Sequence, residues 1–172
     1  RLRKGDVCMV IQDIQVGEIS LPLARPFKTA LRTVDRMESV VVRLISDTGD
    51  VGYGEAPPTA AITGDTKGSI RCAIQDHIRP ALLGMEIEHL SGIMAKLHGC
   101  IVKNTSAKAA VDMAVYDLWA KRWGAPLYQL LGGASRDKVM VYKHVGGMTI
   151  EETVEGVVAM REQGIDAIRA QV

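Results

Sequence analysis

Residues 39–55 constrain the fold of this chain more than any other stretch. Within 39–46, Val40, Val42 and Leu44 fall on one face of an extended segment, and Ser39, Val41, Arg43 and Ile45 on the other. That is the period of a strand buried on one side. Asp47-Thr48-Gly49-Asp50 then supplies turn chemistry, and 51–55 resumes as a strand, so the two runs are expected to form a hairpin. A strand-like segment at 10–23 precedes them, which predicts a three-stranded antiparallel meander.

The middle of the chain changes period from two to 3.6. Ile70, Ala73, Ile74, Ile78 and Leu82 follow helical spacing after Thr63-Gly64-Asp65-Thr66, with Pro80 expected to end or kink the helix. Leu90, Ile93, Met94 and Leu97 form a second stripe. Ala107, Ala110, Val111, Ala114, Val115 and Leu118 form a third, capped by Asn104 or Ser106 and closed by Gly124. Pro126 opens a short helical turn that Gly132-Gly133 stops. Beyond it, 139–143 reads as a strand, Thr149-Ile150-Glu151-Glu152 has capping-box form, Gly164 stops the helix, and 165–172 is a strand again. Strand, helix, strand is a βαβ unit with parallel strands. The expected boundary between the two parts is 132–135.

Charge and length narrow the function. Lys and Arg number 21 against 20 Asp and Glu, so there is no basic excess to drive nucleic-acid binding or docking on anionic membranes. The longest stretch without a charged side chain is 123–135, too short to span a bilayer, and 7–11 is too brief for a secretory signal core. Three cysteines without CxxC spacing fit a reducing, cytoplasmic setting. A chain of 172 residues is also too short for a complete (β/α)8 barrel, which takes about 250.

Three places could carry chemistry. On the last strand Arg169 and Gln171 share a face with Ala167, while Ile168, Ala170 and Val172 face a crossover helix; polar groups at the carboxyl ends of parallel strands are common sites of catalysis. A truncated edge strand that simply meets water would look the same. The segment 24–33 links the first two strands and carries Arg25, Lys28, Arg32 and Phe27 without an acid, a surface suited to a carboxylate or simply a solvated basic loop. His144 follows the 139–143 strand and is a third candidate. His77, His89 and His98 lack metal-ligand spacing, and Asp112 and Asp117 lie five apart, off one helix face.

Several ordered motifs carry a resemblance: 25–34 (RPFKTALRTV), 52–58 (GYGEAPP), 62–65 (ITGD), 79–84 (RPALLG) and 104–111 (NTSAKAAV). Over 11–133 the chain resembles the enolase superfamily, of mandelate racemase/muconate lactonizing type, and within it the capping domain of dipeptide epimerases of the Ala-Glu kind. The resemblance implies an α+β capping domain, a three-stranded meander plus helical bundle at 1–133. At 134–172 it implies the first βαβ unit of an incomplete (β/α)8 barrel.

In that family two loops, here 23–33 and 56–65, close over the active site. The resemblance implies that Arg32 pairs with an acidic substrate side chain while Phe27, Thr29 and Ile62 shape its pocket. It further implies proton abstraction α to a carboxylate with Mg²⁺ as cofactor, the metal ligands lying beyond Val172 and none in this chain. Dipeptide epimerases carry Lys-x-Lys on the second barrel strand; here Arg169-Ala170-Gln171 stands in that place. Glutamine accepts no proton and arginine is a poor base. Residues 133–142 and 167–171 instead resemble acid-sugar dehydratases of mannonate type, in which the strand-two arginine joins a tyrosine in proton abstraction.

Three functions therefore compete: the amino-terminal part of a dipeptide epimerase, of an acid-sugar dehydratase, or a non-catalytic capping module. The expected partner is a small acidic substrate, with homo-oligomerisation or association through the incomplete barrel. The chain alone is expected to be inactive.

Overall fold

The computed structural model describes residues 8–28, 33–146 and 149–171, with the side chains of Arg25, Lys28 and Gln171 outside that description. These residues form two compact units, Arg1–Gly132 and Gly133–Val172.

The first unit opens with the meander. Strands β1 (Ile11–Lys28), β2 (Thr33–Ser46) and β3 (Val51–Ala56) lie in that order, each antiparallel to the next. The tight connection at 47–50 uses Gly49 at a φ of 89°, where a side chain would be strained. The alternation in β2 is realised: Val40, Val42 and Leu44 are fully buried. Strand β3 pairs only with 40–45 of β2. Residues 33–39 therefore pair with β1 alone, and the first two strands continue outward as a two-stranded arm.

That arm corrects the expected connection. Residues 24–28 extend β1 rather than forming a loop, and Phe27 pairs with Val34 past an irregularity between Pro22 and Phe27. Prolines at 22 and 26 remove two backbone donors there, which suits an irregular edge and no regular ladder.

Helix α1 (Lys67–Cys72) runs into a π-helical stretch, Ala73–Ile78, and then α2 (Arg79–Leu82). The expected stripe is buried throughout, from Ile70 to Leu82. Pro80 does not end the helix. The wider turns fall just upstream of it, where a proline ring and its missing N–H disturb the ordinary ladder. Helix α3 (Leu90–Gly99) and helix α4 (Thr105–Arg122) follow, and α5 (Leu127–Leu130) closes the unit. Neither expected cap of α4 acts as one. Asn104 sits at a φ of 50° with its amide donating to the Val102 carbonyl, and the Ser106 hydroxyl donates to Asp65. The carbonyl end of α3 is instead held by Lys108, whose buried ammonium donates to the carbonyls of His98 (2.8 Å) and Ile101. A cation there also opposes the negative end of the helix dipole.

Helix α4 lies directly on β3. A Cβ on Gly52 would stand 2.0 Å from the Ala114 carbonyl oxygen, and one on Gly54 would stand 1.9 Å from that of Ala110. These glycines are thus interior strand positions that let two backbones touch. Asp117 then accepts from the Tyr53 N–H (2.8 Å), and Lys121 donates to the Val51 carbonyl (2.7 Å), covering the polar edge of β3. Residues 84–87 cover the start of β1 in the same manner, through Ile11 N to Met85 O and Ile87 N to Met9 O.

The core consists of Ile11, Ile14, Val40, Val42 and Leu44 from the sheet, with the buried stripes of the helices around it. Two ion pairs fasten its rim. Arg79 donates to Asp13 (2.9 Å), and this bond, with those from Gln15 and the Ile14 N–H, holds the Asp13 carboxyl below its usual range despite partial burial. Burial works against the charge of Glu88. The bond from Arg122 (2.6 Å) and that from the Met9 N–H outweigh it, so this carboxyl too is held low.

Replacing Gly54 with alanine is expected to cost about 3 kcal/mol or more in denaturant unfolding, because backbone lies in the way on the helix side. The matched control is Gly17→Ala in the same sheet, where nothing lies within 4 Å of the added carbon; equal midpoints would contradict the close approach. The two depressed carboxyls set a pH dependence. Their contribution is complete above the ordinary carboxylate range and is lost as pH falls through their lower folded values, between about pH 5 and pH 2. Unfolding midpoints measured across that window should decline, and less steeply in Glu88→Gln than in the parent.

Candidate functional site

Two regions hold the predicted residues. The first is the arm with the segment that follows β3. Thr29 and Arg32 lie outside the described residues. Phe27 is 57% exposed on the arm, and Ile62 is 65% exposed on the turn between β3 and α1. Neither contributes to the core, so the fold leaves both free to meet something else.

The Ile62 turn is built from its own short-range bonds. The N–H groups of Ile62 and Thr63 donate to the Thr59 carbonyl at 2.8 and 2.9 Å, and Gly64 N–H reaches Ala60. The Thr59 and Thr63 hydroxyls meet at 3.0 Å. Gly64, at a φ of 81°, reverses the chain, and Asp65 then accepts from Ser106 at the start of α4. Thr66 caps α1 in a reciprocal arrangement with Ser69.

One turn later the helix reaches the arm. Lys67 donates to Glu38 of β2 (2.6 Å) and lies 3.9 Å from Glu18 of β1, and Arg71 donates to Glu18. Glu18 and Glu38 occupy the face that carries Ile14, Val16 and Val40 nearer the core. Their change from apolar to acidic occurs where the arm leaves the helices. Sequence reasoning missed this group. Its only trace there is a Lys–Arg pair four apart after a capping pattern, a spacing common on solvated helices.

The second region is the carboxyl-terminal unit. Strands β4 (Tyr142–Gly146) and β5 (Ala167–Gln171) are parallel and joined by α6 (Ile150–Glu162), whose capping box forms as expected, Thr149 accepting from the Glu152 N–H at 3.2 Å. Strand β4 is displaced from the expected 139–143. Val139, Met140 and Val141 are exposed, because the partner strand offers backbone only from Tyr142 onward. His144 therefore lies within the strand rather than after it, directly across from Arg169.

The faces are fixed by packing. Val145 is buried so closely against α6 that a Cβ on Gly156 would come within 2.5 Å of it. Its register partner Ala170 lines an apolar hollow with Ile150, Thr153, Val154, Val157 and Val158. His144 and Arg169 consequently leave the sheet on the opposite face, together, as the parity of the strand required. The Gln171 side chain and Val172 lie outside the description.

Among the described residues there is no group of three or more His, Cys, Asp or Glu side chains placed to hold a metal ion. The described side chains do not form a Mg²⁺ site. Asp117 is committed to the Tyr53 N–H and to Lys121, and Asp112 stands 3.9 Å from His98. Nor is any helix among the described residues long and apolar enough to cross a membrane.

Comparison with known proteins decides the family. Residues 12–132 match the profile of the mandelate racemase / muconate lactonizing enzyme, N-terminal domain. The chain belongs to that family, and through it to the enolase superfamily. Among curated relatives it is 54% identical over 125 residues to the L-Ala-D/L-Glu epimerase of Clostridium acetobutylicum, covering 73% of this chain and 35% of that protein. It is 40% identical over 137 residues to the D-mannonate dehydratase of Novosphingobium aromaticivorans, covering 77% and 33%. The structure of the substrate-liganded L-Ala-D/L-Glu epimerase from Bacillus subtilis superposes with a TM-score of 0.87 at 44% identity, over 95% of this chain and 45% of that one. The chain spans less than half the length of each.

The seating of α6 on Val145 generates a test. Gly156→Ala should loosen the helix and raise amide hydrogen exchange across residues 142–146, leaving exchange at 110–118 of α4 unchanged. Unaltered exchange in β4 would contradict the packing that directs His144 and Arg169 away from the helix.

Proposed function

We propose that this chain supplies the substrate-selecting cap and the first βαβ unit of a Mg²⁺-dependent enzyme that removes the proton α to a carboxylate, acting as a dipeptide epimerase of the Ala-Glu type. What supports this is the coincidence of two things: 54% identity to an L-Ala-D/L-Glu epimerase over 125 residues, and the exposure of Phe27 and Ile62 in the two segments that the resemblance makes substrate-selecting.

In this proposal each residue has a limited task. Arg32 grips the acidic side chain of the substrate, since a planar guanidinium holds a carboxylate by two parallel bonds and fixes its orientation where an ammonium would not. Phe27 and Ile62 offer apolar surface that excludes water around that pair, which strengthens it. Thr29 contributes shape and a hydroxyl. Arg169 and His144 stand on the strand face that would look into a barrel, and Gln171 follows two positions on in the same alternation. Glutamine accepts no proton and arginine is a poor base, so the acid–base exchange that Lys-x-Lys would carry is not assigned to Arg169 or Gln171, and His144 is the proton-handling candidate of the three.

A second reading is favoured by one observation. Arg169 and His144 stand side by side on the β4–β5 ladder, a guanidinium beside an imidazole, groups that can bond the carboxylate and hydroxyls of a hydroxylated acid, and D-mannonate dehydratase is among the relatives. There the same proton abstraction would be followed by loss of water.

The test is reconstitution. The chain alone, supplied with Mg²⁺ and L-Ala-L-Glu, should give no epimerisation; turnover by it would refute the assignment. Supplied with the remaining barrel as a separate polypeptide, it should epimerise L-Ala-L-Glu and leave mannonate untouched, and the reverse would establish the dehydratase. In the reconstituted enzyme Arg32→Met should lower kcat/KM for acidic dipeptides by about 10²-fold, as expected for a charged bond lost from a desolvated site, with little change for neutral ones. Equal losses would count against the carboxylate contact.

A further inference from the structure

The two exposed segments that carry Phe27 and Ile62 belong to different elements, yet one short stretch ties them together. Within residues 65–71, Asp65 is bonded to Ser106 of α4, Thr66 caps α1, and Lys67 and Arg71 reach Glu18 and Glu38 on the arm. The arm has no third strand beside it beyond Val40, so little else among the described contacts fixes its angle to the helices. Among the described residues, the hydrogen bonds of the Ile62 turn stay within it except for that of Asp65 with Ser106.

We infer that Lys67 and Arg71, with Ser106, are positioning residues for substrate selection: they hold the arm and the Ile62 turn at a fixed spacing, so that the two walls of the selecting surface move as one. This rests on the proposed function, because it takes those walls to face the substrate. Single exposed ion pairs contribute little to stability, and stability is not the point. Here two cations one helical turn apart grip two acids on neighbouring strands. Such a network restricts the angle of an otherwise cantilevered arm even when each bond is weak. The placement supports this reading over a merely solvating one. The four charges sit where the arm loses its apolar contacts, and the helix that bears the cations begins directly at the end of the Ile62 turn. Ser20 and Arg36 stiffen the arm further out, with Arg36 Nε donating to the Ser20 hydroxyl at 3.0 Å.

Amide hydrogen exchange on the full chain tests the clamp without any activity. The double substitution Lys67→Ala/Arg71→Ala should raise exchange in both 17–28 and 57–66 by about two- to fivefold, the factor one screened network is worth, while 110–118 of α4 stays unchanged. The conservative pair Lys67→Arg/Arg71→Lys, which keeps both cations opposite Glu18 and Glu38, should leave both segments at parent rates. A rise in neither segment, or an equal rise everywhere, would overturn the inference. In the reconstituted enzyme the double alanine variant should lose selectivity for L-Ala-L-Glu over a neutral dipeptide by a similar factor, through KM and with kcat retained, and the conservative pair should keep it. Exchange that responds while selectivity does not would refute the role of the clamp in selection, whereas the assignment of these segments as substrate walls fails separately if Arg32→Met lowers acidic and neutral dipeptides equally.

Discussion

The contact on which the first unit depends is the one between backbones, where β3 meets α4 with no side chain between them. Gly52 and Gly54 bring the strand against the carbonyls of Ala114 and Ala110. Everything that positions the candidate site follows from that approach. It seats the meander on the long helix and buries Val40, Val42 and Leu44. It places Asp117 and Lys121 where they can satisfy the edge of β3. Because the helix stops the sheet from growing on that side, the remaining length of β1 and β2 projects beyond the core as an arm.

A fold so anchored separates labour. The apolar residues of the sheet stay under the helices, and the arm and the Ile62 turn consist of residues the core does not need. Such parts can vary with substrate at small cost to stability, which accords with a family in which a shared cap accompanies dipeptide epimerases and an acid-sugar dehydratase. The same logic holds in the carboxyl-terminal unit. Val145 and Ala170 serve α6, and the alternate positions, His144 and Arg169, lie on the other face of the strands.

Much of this was legible in the sequence because it rests on period. The alternation in 39–46, the turn at 47–50, the stripes on α3 and α4 and the capping box at Thr149 all reappear where spacing puts them. What spacing does not encode is what a residue meets. Gly52 and Gly54 fall inside an expected strand, and nothing in their spacing announces the helix that lies on them. Pro80 looks like a stop until the wider turns before it absorb the missing donor. Ser106 has the chemistry of a cap, but its hydroxyl serves Asp65, forty-one residues away. Val139, Met140 and Val141 have strand composition and lack a partner strand, so β4 starts later than composition alone indicates. The family resemblance came from ordered motifs and concerned the very segments, 25–34 and 52–65, that periodicity describes least well.

The central claim is that the cap presented by this chain recognises an acidic side chain through Arg32. A structure of the reconstituted enzyme with L-Ala-L-Glu bound tests it most directly. The predicted result is the substrate's glutamyl carboxylate in bidentate contact with the Arg32 guanidinium, at about 2.8 Å, between the arm and the Ile62 turn. Finding that carboxylate held by barrel residues, with Arg32 directed to solvent, would contradict it.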